Sequence, residues 1–363
     1  MPKETKRYLK FYEAINEAII QSIRKDKKVV VFGEGVQDPS AMWGTLKGIN
    51  KTFGIKNTIE MPVSENSLIG AAIGASNFGI KSIVCLNRVE FAMYAFEQIF
   101  NNAAKSNFLT NGIHKSQIVL RLAIGRGWGQ GPTHSQSMES VFSYFPGLKV
   151  VMPLMPSDAK NILISSIFDP NPVIFLEHRW LYDIEENVSK KFVIKKIESF
   201  KKLSNGSDVT VVSSGYSSLE AKTVNEFLTK KGIKLDNFNL QMFKPLNLTP
   251  IYKSLKKTGK LVTIDTGHIT YGASSEIITS LIEMDQNIFH KKPIRLGLPD
   301  IPTPSSRGYI KNYYPNATLL LSKILDLVDL NKNKKIEIFN EFNKKYTTNK
   351  MFDVPNKAFK GPF

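Results

Sequence analysis

The sequence predicts an α/β protein with two domains, each built on a parallel or mixed sheet. Short runs rich in β-branched residues alternate with longer helical patterns from one end of the chain to the other, as they do in βα units. A charged segment at 183–207 interrupts this alternation, which then begins again more compactly. A chain of 363 residues is long enough for two such domains and a short extension.

The first domain is predicted to span residues 1–185 and to begin with an amphipathic helix at Leu9–Ile23. Its buried strands are predicted at Val29–Gly33, Ile83–Leu86, Gln117–Leu122, Lys149–Met152 and Val173–Leu176. Its remaining helices are predicted at Ser67–Phe78, Ala92–Lys105 and Ser157–Phe168. This order of elements favours a mainly parallel sheet with helices on its faces.

A linker is predicted at 186–207 and a smaller α/β domain at 208–330. The strands of this second domain are predicted at Asp208–Ser213, Lys234–Leu240 and Leu261–Asp265. Its helices are predicted at Ser217–Lys230, Gly272–Met284 and Ala317–Leu330. Residues 331–363 are predicted to form a helical extension and a tail, which either drapes over the body or docks on a partner.

Composition argues against several classes of protein. The net charge of +17 comes from lysines spread along the chain without interleaved aromatic residues, so solvated faces or an acidic partner subunit explain it better than nucleic acid does. No apolar run is long enough to cross a bilayer. Cys85 is the only cysteine, which excludes internal disulfides and thiolate zinc sites. Since the N-terminus shows no presequence pattern, we expect a cytoplasmic location.

A single carboxylate introduces a helix made mostly of small and apolar residues. Glu65 precedes the run Gly70–Ser76, whose small side chains would let this helix pack closely against a neighbour. A carboxyl group in a pocket stripped of water is suited to proton transfer. The alternative is structural, because the helix dipole favours an acidic residue in the first turn and Ser64 could act as the N-cap.

Glycines alternate with large or polar residues between Ile124 and Pro132. Neither the dinucleotide pattern G-x-G-x-x-G nor the P-loop pattern fits this loop. It follows a predicted strand, where α/β folds bind ligands, and we expect it to bring His134 to the start of the next helix. Thr133–Gln136 also satisfies a capping box, which explains the flanking residues but not the histidine. The large or polar loop side chains are those of Arg126, Trp128 and Gln130.

Two further positions have both a ligand-binding and a structural interpretation. Phe91 lies where a predicted strand turns into a helix, so its ring could stack on a planar ligand or simply join the core. The turn Asp169–Pro172 is made rigid by its prolines, and its carbonyls could hold a monovalent cation or serve only the turn.

In this order, these motifs resemble the beta subunit of the thiamine-diphosphate-dependent decarboxylating component of 2-oxo acid dehydrogenase complexes. The pyrimidine-binding half of transketolase is a more distant resemblance. The similarity extends from about Glu13 to Leu330. It rests on Gly33-Glu34, Pro62–Glu65, Gly70–Gly74, Phe91, Gln98, Ala103–Lys105, His134–Gln136, Pro146–Val151, Asp158–Lys160, Asn171–Val173, Asp208–Thr210, Lys244–Leu246 and Gly272.

The resemblance implies roles for individual residues. Glu65 would hydrogen-bond the aminopyrimidine of thiamine diphosphate, with Glu34 among the cofactor-binding residues. Phe91 would stack on the pyrimidine, and His134 would lie near the bound substrate. The physical logic agrees, since a carboxyl group sharing a proton with the pyrimidine allows general acid–base catalysis. A potassium site would comprise Ile118, Ser166, Ile167, Asp169 and Asn171.

One motif of the family is missing. The sequence lacks the Gly-Asp-Gly and downstream Asn that bind the diphosphate and magnesium, and in the two-subunit enzymes this motif belongs to the alpha chain. The resemblance therefore implies half of an active site: an alpha2beta2 assembly shares the cofactor, and the alpha subunit holds magnesium. A lipoyl acyltransferase is left open as a further partner.

Departures from the family leave the substrate open. Gly35 stands where the family has a second acidic residue, and Gln241 stands where it usually has arginine. Arg126 is expected to face the same cavity as His134 and to clamp an acidic substrate, with Trp128 narrowing the entrance, or else to pair with an acidic residue of the alpha chain. The alternatives to a 2-oxo acid dehydrogenase are a split transketolase-like enzyme acting on a sugar-like ketone and a non-catalytic assembly scaffold.

Overall fold

A computed structural model describes residues 6–38, 40–126, 129–310 and 312–346 of the chain. The strands are β1 (Tyr8–Lys10), β2 (Val29–Gly33), β3 (Thr58–Glu60), β4 (Lys81–Leu86), β5 (Ile118–Ile124), β6 (Lys149–Val151), β7 (Val173–His178), β8 (Glu185–Asn187), β9 (Phe200–Ser204), β10 (Val209–Ser214), β11 (Leu235–Leu240), β12 (Met242–Lys244), β13 (Leu261–His268) and β14 (Ile294–Leu298). The α-helices are α1 (Phe11–Lys25), α2 (Ile49–Phe53), α3 (Glu65–Ser76), α4 (Ala104–Leu109), α5 (Glu139–Tyr144), α6 (Pro156–Ile167), α7 (Ser217–Thr229), α8 (Thr249–Thr258), α9 (Ala273–Met284), α10 (Arg307–Ile310), α11 (Ala317–Leu327) and α12 (Lys332–Tyr346).

The first sheet has the strand order β12-β6-β7-β5-β4-β2-β3 within the described ranges. Its strands are parallel except β12, which pairs antiparallel to β6. Apolar residues cover both faces, one against α3 and the other against α1 and α6. Strands that are buried on both faces have continuous apolar sequences. The parallel sheet with helices on both faces confirms the predicted α/β class of the first domain.

The second sheet has the strand order β14-β13-β10-β11-β9 in the same ranges. All of its pairs are parallel except β11 with β9. Helices α7, α11 and α12 cover one face, and the buried Phe342 of α12 packs edge-on to Phe227 with ring centroids 5.1 Å apart. The helical extension predicted after 331 therefore packs onto the second domain, whereas residues 347–363 of the predicted tail lie outside the described residues.

Two strands join the domains differently from the sequence expectation. Strand β9 lies inside the segment 186–207, which was predicted as a linker, and forms an edge of the second sheet. Lys201 and Lys202 made this stretch resemble a charged linker in the sequence, but lysines are also common on edge strands. Strand β12 follows β11 of the second sheet but pairs with β6 of the first. The second half of the chain thus completes the sheet of the first half.

The helix predicted at Ala92–Lys105 is helical but irregular. A 3₁₀ turn spans Val89–Ala95, and a π-helical stretch spans Gln98–Ala103 before α4 begins. The rings of Phe100 and Phe145 stack beneath it with centroids 3.6 Å apart. π-helical turns are frequent at functional sites, and this one directly follows the 3₁₀ turn that carries Phe91.

Large apolar side chains are exposed on the first domain. Phe78, just after α3, is 81% exposed, and Phe108 of α4 is 89% exposed. A Cβ placed on Gly74 of α3 would meet no other atom within 4 Å. Exposed apolar side chains beside a helix of small residues are typical of a protein–protein interface. None of the helices in the described ranges combines the length and apolar character needed to cross a bilayer.

Candidate active site at the carboxyl edge of the first sheet

Three carboxylates gather where β2 and β3 end. Glu34 follows β2, Glu60 is the last residue of β3, and Glu65 begins α3. Glu65 is 8% exposed, and Oε1 of Glu34 is buried without a hydrogen-bond partner among the described residues. Burial raises the pKa of Glu34, and the nearby charges of Glu65 and Glu60 raise it further. This edge therefore offers the buried Glu65 and the half-buried Glu34, whose Oε1 has unused hydrogen-bonding capacity.

Glu60 shapes the loop that follows β2. Its carboxylate accepts hydrogen bonds from the N–H groups of Gly35 at 2.5 Å and Gln37 at 3.1 Å. Gly35 has φ +66°, a left-handed conformation that an acidic residue would adopt only with strain. The glycine that departs from the family pattern therefore has a local structural reason.

Phe91 and His134 come together at the same edge of the first sheet. Their ring centroids lie 5.6 Å apart with an interplanar angle of 54°. Phe91 follows β4 and His134 follows β5, and the adjacent parallel strands β5-β4-β2-β3 bring both to the same edge as Glu65. The structure thus places the three residues singled out in the sequence at one sheet edge.

The expected capping of a helix next to His134 is wrong. Helix α5 begins only at Glu139, with Met138 at the N-cap position. The N–H of Gln136 instead donates to Oε1 of Glu90 at 2.8 Å. A long-range hydrogen bond has replaced the local one that the Thr133–Gln136 pattern favoured, because the segment 132–138 stays irregular.

Arg126 has partners that the sequence did not indicate. Its buried guanidinium lies over the rings of Trp180, Tyr216 and Tyr314, at 4.6, 5.2 and 5.0 Å from their centroids. Its Nη2 lies 3.4 Å from Oε1 of Glu220, in α7 of the second domain.

The expectation that Arg126 shares a cavity with His134 is therefore corrected. Its guanidinium is buried among aromatic rings, and the acidic residue beside it is Glu220 of its own chain. Glu220 lies 94 residues from Arg126 in sequence, so no local sequence pattern could predict that the two side chains pair. Gln130 is half-buried, and Trp128 lies outside the described residues.

His178 is a buried titratable residue that no sequence motif indicates. It ends β7, pairs with Ile124 of β5, and is fully buried. Burial lowers its pKa to about 3, and the charges of Arg126 and Arg88 act in the same direction. Its Nδ1 accepts from the N–H of Trp180 at 3.2 Å. A lone histidine at the end of an apolar strand gave no motif by which to find it.

The residues of the expected potassium site already have protein partners. Asp169 forms an ion pair with Lys149 and accepts from the N–H of Asn171 at 2.9 Å. The side-chain oxygen of Asn171 accepts from Asn107 at 2.9 Å. Ser166 and Ile167 end α6, and Ile118 begins β5. Because Lys149 already balances the Asp169 charge, these contacts do not require a cation, and potassium stays a prediction.

Two carboxyl groups face each other across the domain boundary. Glu139 of α5 and Asp265 of β13 are both buried, and a Cβ on Gly267 would lie 2.2 Å from Oε1 of Glu139 and 3.3 Å from Oδ1 of Asp265. Burial raises the pKa of both groups, and the Glu139 charge raises that of Asp265 well above its usual value. Folding therefore favours the protonated form of Asp265 beside the buried Glu139 carboxyl group.

Asp265→Asn should change how stability depends on pH. A carboxyl group whose pKa is raised by folding contributes stability below its unfolded pKa, and this contribution is lost as the pH rises toward the folded pKa. The variant should therefore gain stability relative to wild type as the pH rises above about 4. Urea unfolding of both proteins between pH 4 and 8 measures this difference. A stability difference that does not vary with pH would contradict a raised pKa of Asp265 in the folded protein.

A cleft of about 620 Å³ opens beside the His134 loop. One wall is formed by Pro132, Thr133 and Gln136 of that loop. The other wall, at the carboxyl ends of β13 and β14, comprises His268, Thr270, Tyr271, Asp300, Ile301, Pro302 and Thr303. Both domains therefore border the approach to the candidate site.

Comparison with known proteins agrees with this architecture. Residues 7–184 match the family model of the transketolase pyrimidine-binding domain, and residues 199–318 match that of the transketolase C-terminal domain. A solved structure titled as a split-gene transketolase in an inactive beta4 tetramer superposes with a TM-score of 0.71. The alignment covers 88% of this chain and 98% of that one at 18% identity, which shows a shared fold.

Sequence relatives are more similar. The chain is 30% identical over 325 residues to the mitochondrial pyruvate dehydrogenase E1 component subunit beta of Saccharomyces cerevisiae, covering 88% of each protein. It is 31% identical over 313 residues to the acetoin:2,6-dichlorophenolindophenol oxidoreductase subunit beta of Cupriavidus necator, covering 84% of this chain and 93% of the relative. The chain therefore belongs to the family of pyruvate dehydrogenase E1 beta subunits, which is built from transketolase pyrimidine-binding and C-terminal domains.

Proposed function

We propose that this chain is the beta subunit of a thiamine-diphosphate-dependent 2-oxo acid dehydrogenase that acts as an alpha2beta2 assembly. The observation that carries the proposal is the gathering of Glu65, Glu34, Phe91 and His134 at one sheet edge. Family membership supports the cofactor class, and the relatives' names support a beta-subunit role. The single, buried Cys85 is compatible with a cytoplasmic location.

The residues present fit the pyrimidine end of the cofactor. Glu65 would hydrogen-bond the ring nitrogen, and the unpartnered Oε1 of Glu34 offers an acceptor beside it. The ring of Phe91, half-buried beside His134, offers a stacking surface. When bound, thiamine diphosphate supplies a carbon that becomes nucleophilic toward a ketone carbonyl after it loses a proton.

The chain's own residues would transfer protons and exclude water from the site. Glu65 would share a proton with the pyrimidine nitrogen through one carboxyl oxygen, which is general acid–base catalysis. Its nearly complete burial excludes the water that would compete for this hydrogen bond. His134 would carry a proton near the substrate carbonyl, held against Phe91.

The partner subunit would supply the other half of the site. Among the described residues, no cluster of three or more His, Cys, Asp or Glu is arranged to hold a metal ion. The exposed Phe78 and Phe108 and the open face of α3 at Gly74 offer a surface for an alpha chain. We therefore propose that magnesium and the diphosphate bind to the alpha subunit. A lipoyl acyltransferase would then accept the acyl group.

The half-site proposal predicts that the purified chain binds thiamine diphosphate weakly or not at all, even with magnesium. Binding should become tight and magnesium-dependent only when the alpha subunit is added, since that subunit brings the diphosphate site. Isothermal titration calorimetry of the chain, the alpha subunit and their mixture makes the comparison. Tight magnesium-dependent binding by the isolated chain would overturn the model.

One observation favours a second candidate, a split transketolase-like enzyme acting on a sugar-like ketone. The cleft beside His134 carries polar groups suited to hydroxyls, including Thr133, Gln136 and the hydrogen-bonded pair Thr270–Asp300. A substrate panel separates the candidates, because the dehydrogenase releases carbon dioxide from a 2-oxo acid whereas carbon transfer from a ketose does not. A third alternative, the assembly scaffold, predicts no turnover with either substrate.

A further inference from the structure

We propose that Arg88 and Glu90 are positioning residues that hold His134 by binding the backbone around it. The inference rests on the proposed function, because it concerns the histidine assigned there to the substrate. Arg88 lies between β4 and the 3₁₀ turn Val89–Ala95, and Glu90 lies within that turn. His134 lies in the loop after β5, the strand adjacent to β4.

Two hydrogen bonds join these segments. Nη1 of the buried Arg88 donates to the carbonyl oxygen of His134. Oε1 of the buried Glu90 accepts from the N–H of Gln136 at 2.8 Å. The two contacts fall on either side of Ser135, which is itself buried. Arg88 and Glu90 thus bind the chain at two points directly after the His134 side chain.

The ring of His134 has a third contact with the same segment. Phe91, the residue after Glu90, lies with its ring centroid 5.6 Å from that of His134. Three of four successive residues therefore contact the stretch His134–Gln136 through its carbonyl, its N–H or its ring. Such a set of contacts fixes the position of a side chain as well as the path of the loop.

The loop needs support of this kind because it has no regular secondary structure. Residues 132–138 form neither strand nor helix, so no ladder of backbone bonds fixes His134. Hydrogen bonds from charged groups in a buried setting are stronger than neutral ones and supply the missing restraint. Holding Glu90 in this position costs desolvation free energy, since its Oε2 is buried with no hydrogen-bond partner in the described ranges.

The charges around Glu90 agree with this arrangement. Burial raises the pKa of Glu90, whereas the N–H of Gln136 and the charges of Arg88 and His134 lower it. Arg88 is flanked by Arg179, whose charge acts with burial to lower the pKa of Arg88 to about 10. A site that draws opposite charges into a buried turn is more typical of a functional loop than of a surface connection.

NMR of the full chain labelled with [13Cε1]histidine tests the positioning directly. His134→Asn assigns the His134 resonance among the five histidines. In Arg88→Ala and Glu90→Ala this resonance should shift or broaden while those of His114, His268 and His290 stay in place; His178 is not a reference, because the charge of Arg88 also acts on it. Arg88→Lys and Glu90→Gln keep a donor and an acceptor and should restore the wild-type resonance. Glu97→Ala, an exposed change nearby, is the matched control.

Kinetics of the reconstituted complex give the second readout. The two alanine variants should lower kcat by about 10²-fold with little change in KM, because a displaced group loses its alignment with the reacting atoms. The lysine and glutamine variants should recover most of kcat. If Glu90→Gln behaves like Glu90→Ala in both measurements, charge rather than hydrogen bonding matters and the positioning proposal is wrong.

The two proposals fail in different ways. An unchanged His134 resonance in both alanine variants would overturn the positioning role, whatever the activity. An inactive wild-type complex with a displaced His134 resonance in the variants would overturn the proposed function and leave the positioning role standing. If an alanine variant unfolds, the lysine and glutamine variants decide, since their loss of the wild-type resonance would count against the proposal.

Discussion

Glu65→Gln is expected to reduce kcat of the reconstituted complex by roughly 10²–10⁴-fold, the usual cost of removing a general acid–base group. Glutamine has nearly the same shape, so the start of α3 should remain folded. It cannot give up a proton as a carboxylic acid does, and activation of the cofactor would therefore fail.

Steady-state kinetics with a 2-oxo acid, together with circular dichroism of the variant, measure this effect. Glu97→Gln, which changes an exposed carboxylate of the same domain, should behave like wild type. Activity of Glu65→Gln within a few-fold of wild type would remove Glu65 from its proposed role. Loss of cofactor binding alone, with normal kcat at saturation, would reduce that role to binding.

Arg121→Met is expected to destabilise the protein by about 3–5 kcal/mol, because it leaves a buried carboxylate without its partner. Arg121 in β5 and Glu177 in β7 are both fully buried and form two parallel bonds of 2.6 and 2.8 Å. Tyr182 donates to the same carboxylate at 2.8 Å, and Arg121 also donates to Thr45 at 3.0 Å. This network ties two central strands to the loop before α2.

Urea unfolding of the single variants and of Arg121→Met/Glu177→Met forms a double-mutant cycle. The double variant should recover much of the loss, since it removes the unpaired charge together with its partner. Lys222→Met, which alters an exposed ion pair with Glu226, should leave the unfolding midpoint unchanged. A double variant as unstable as the sum of the singles would show that the two charges act independently.

How much could be predicted depended on whether the signal was local. Strands β2, β5 and β7 were predictable because a strand that is buried on both faces consists of consecutive apolar residues. Strand β9 was missed because it is an edge strand that carries two lysines, and β12 was missed because it has only three residues and crosses between the sheets.

The candidate site follows the same rule. Glu65, Phe91 and His134 stand at motif positions, and strand order brings them to one edge. The partners of Arg126 and of the His134 loop were not predictable, because Glu220 and Glu90 lie 94 and 46 residues from the groups they bind. Such pairs leave no periodicity in the sequence.

The return of β12 to the first sheet has a consequence for the modularity of the chain. A cut between β8 and β9 would leave the amino-terminal piece with an unpaired edge at β6, and the carboxyl-terminal piece with an orphan strand. Open edges of this kind promote aggregation. The two domains therefore share a sheet and are not independent modules. Truncations or gene fusions designed on their sequence boundaries would remove β12 from the sheet to which it belongs.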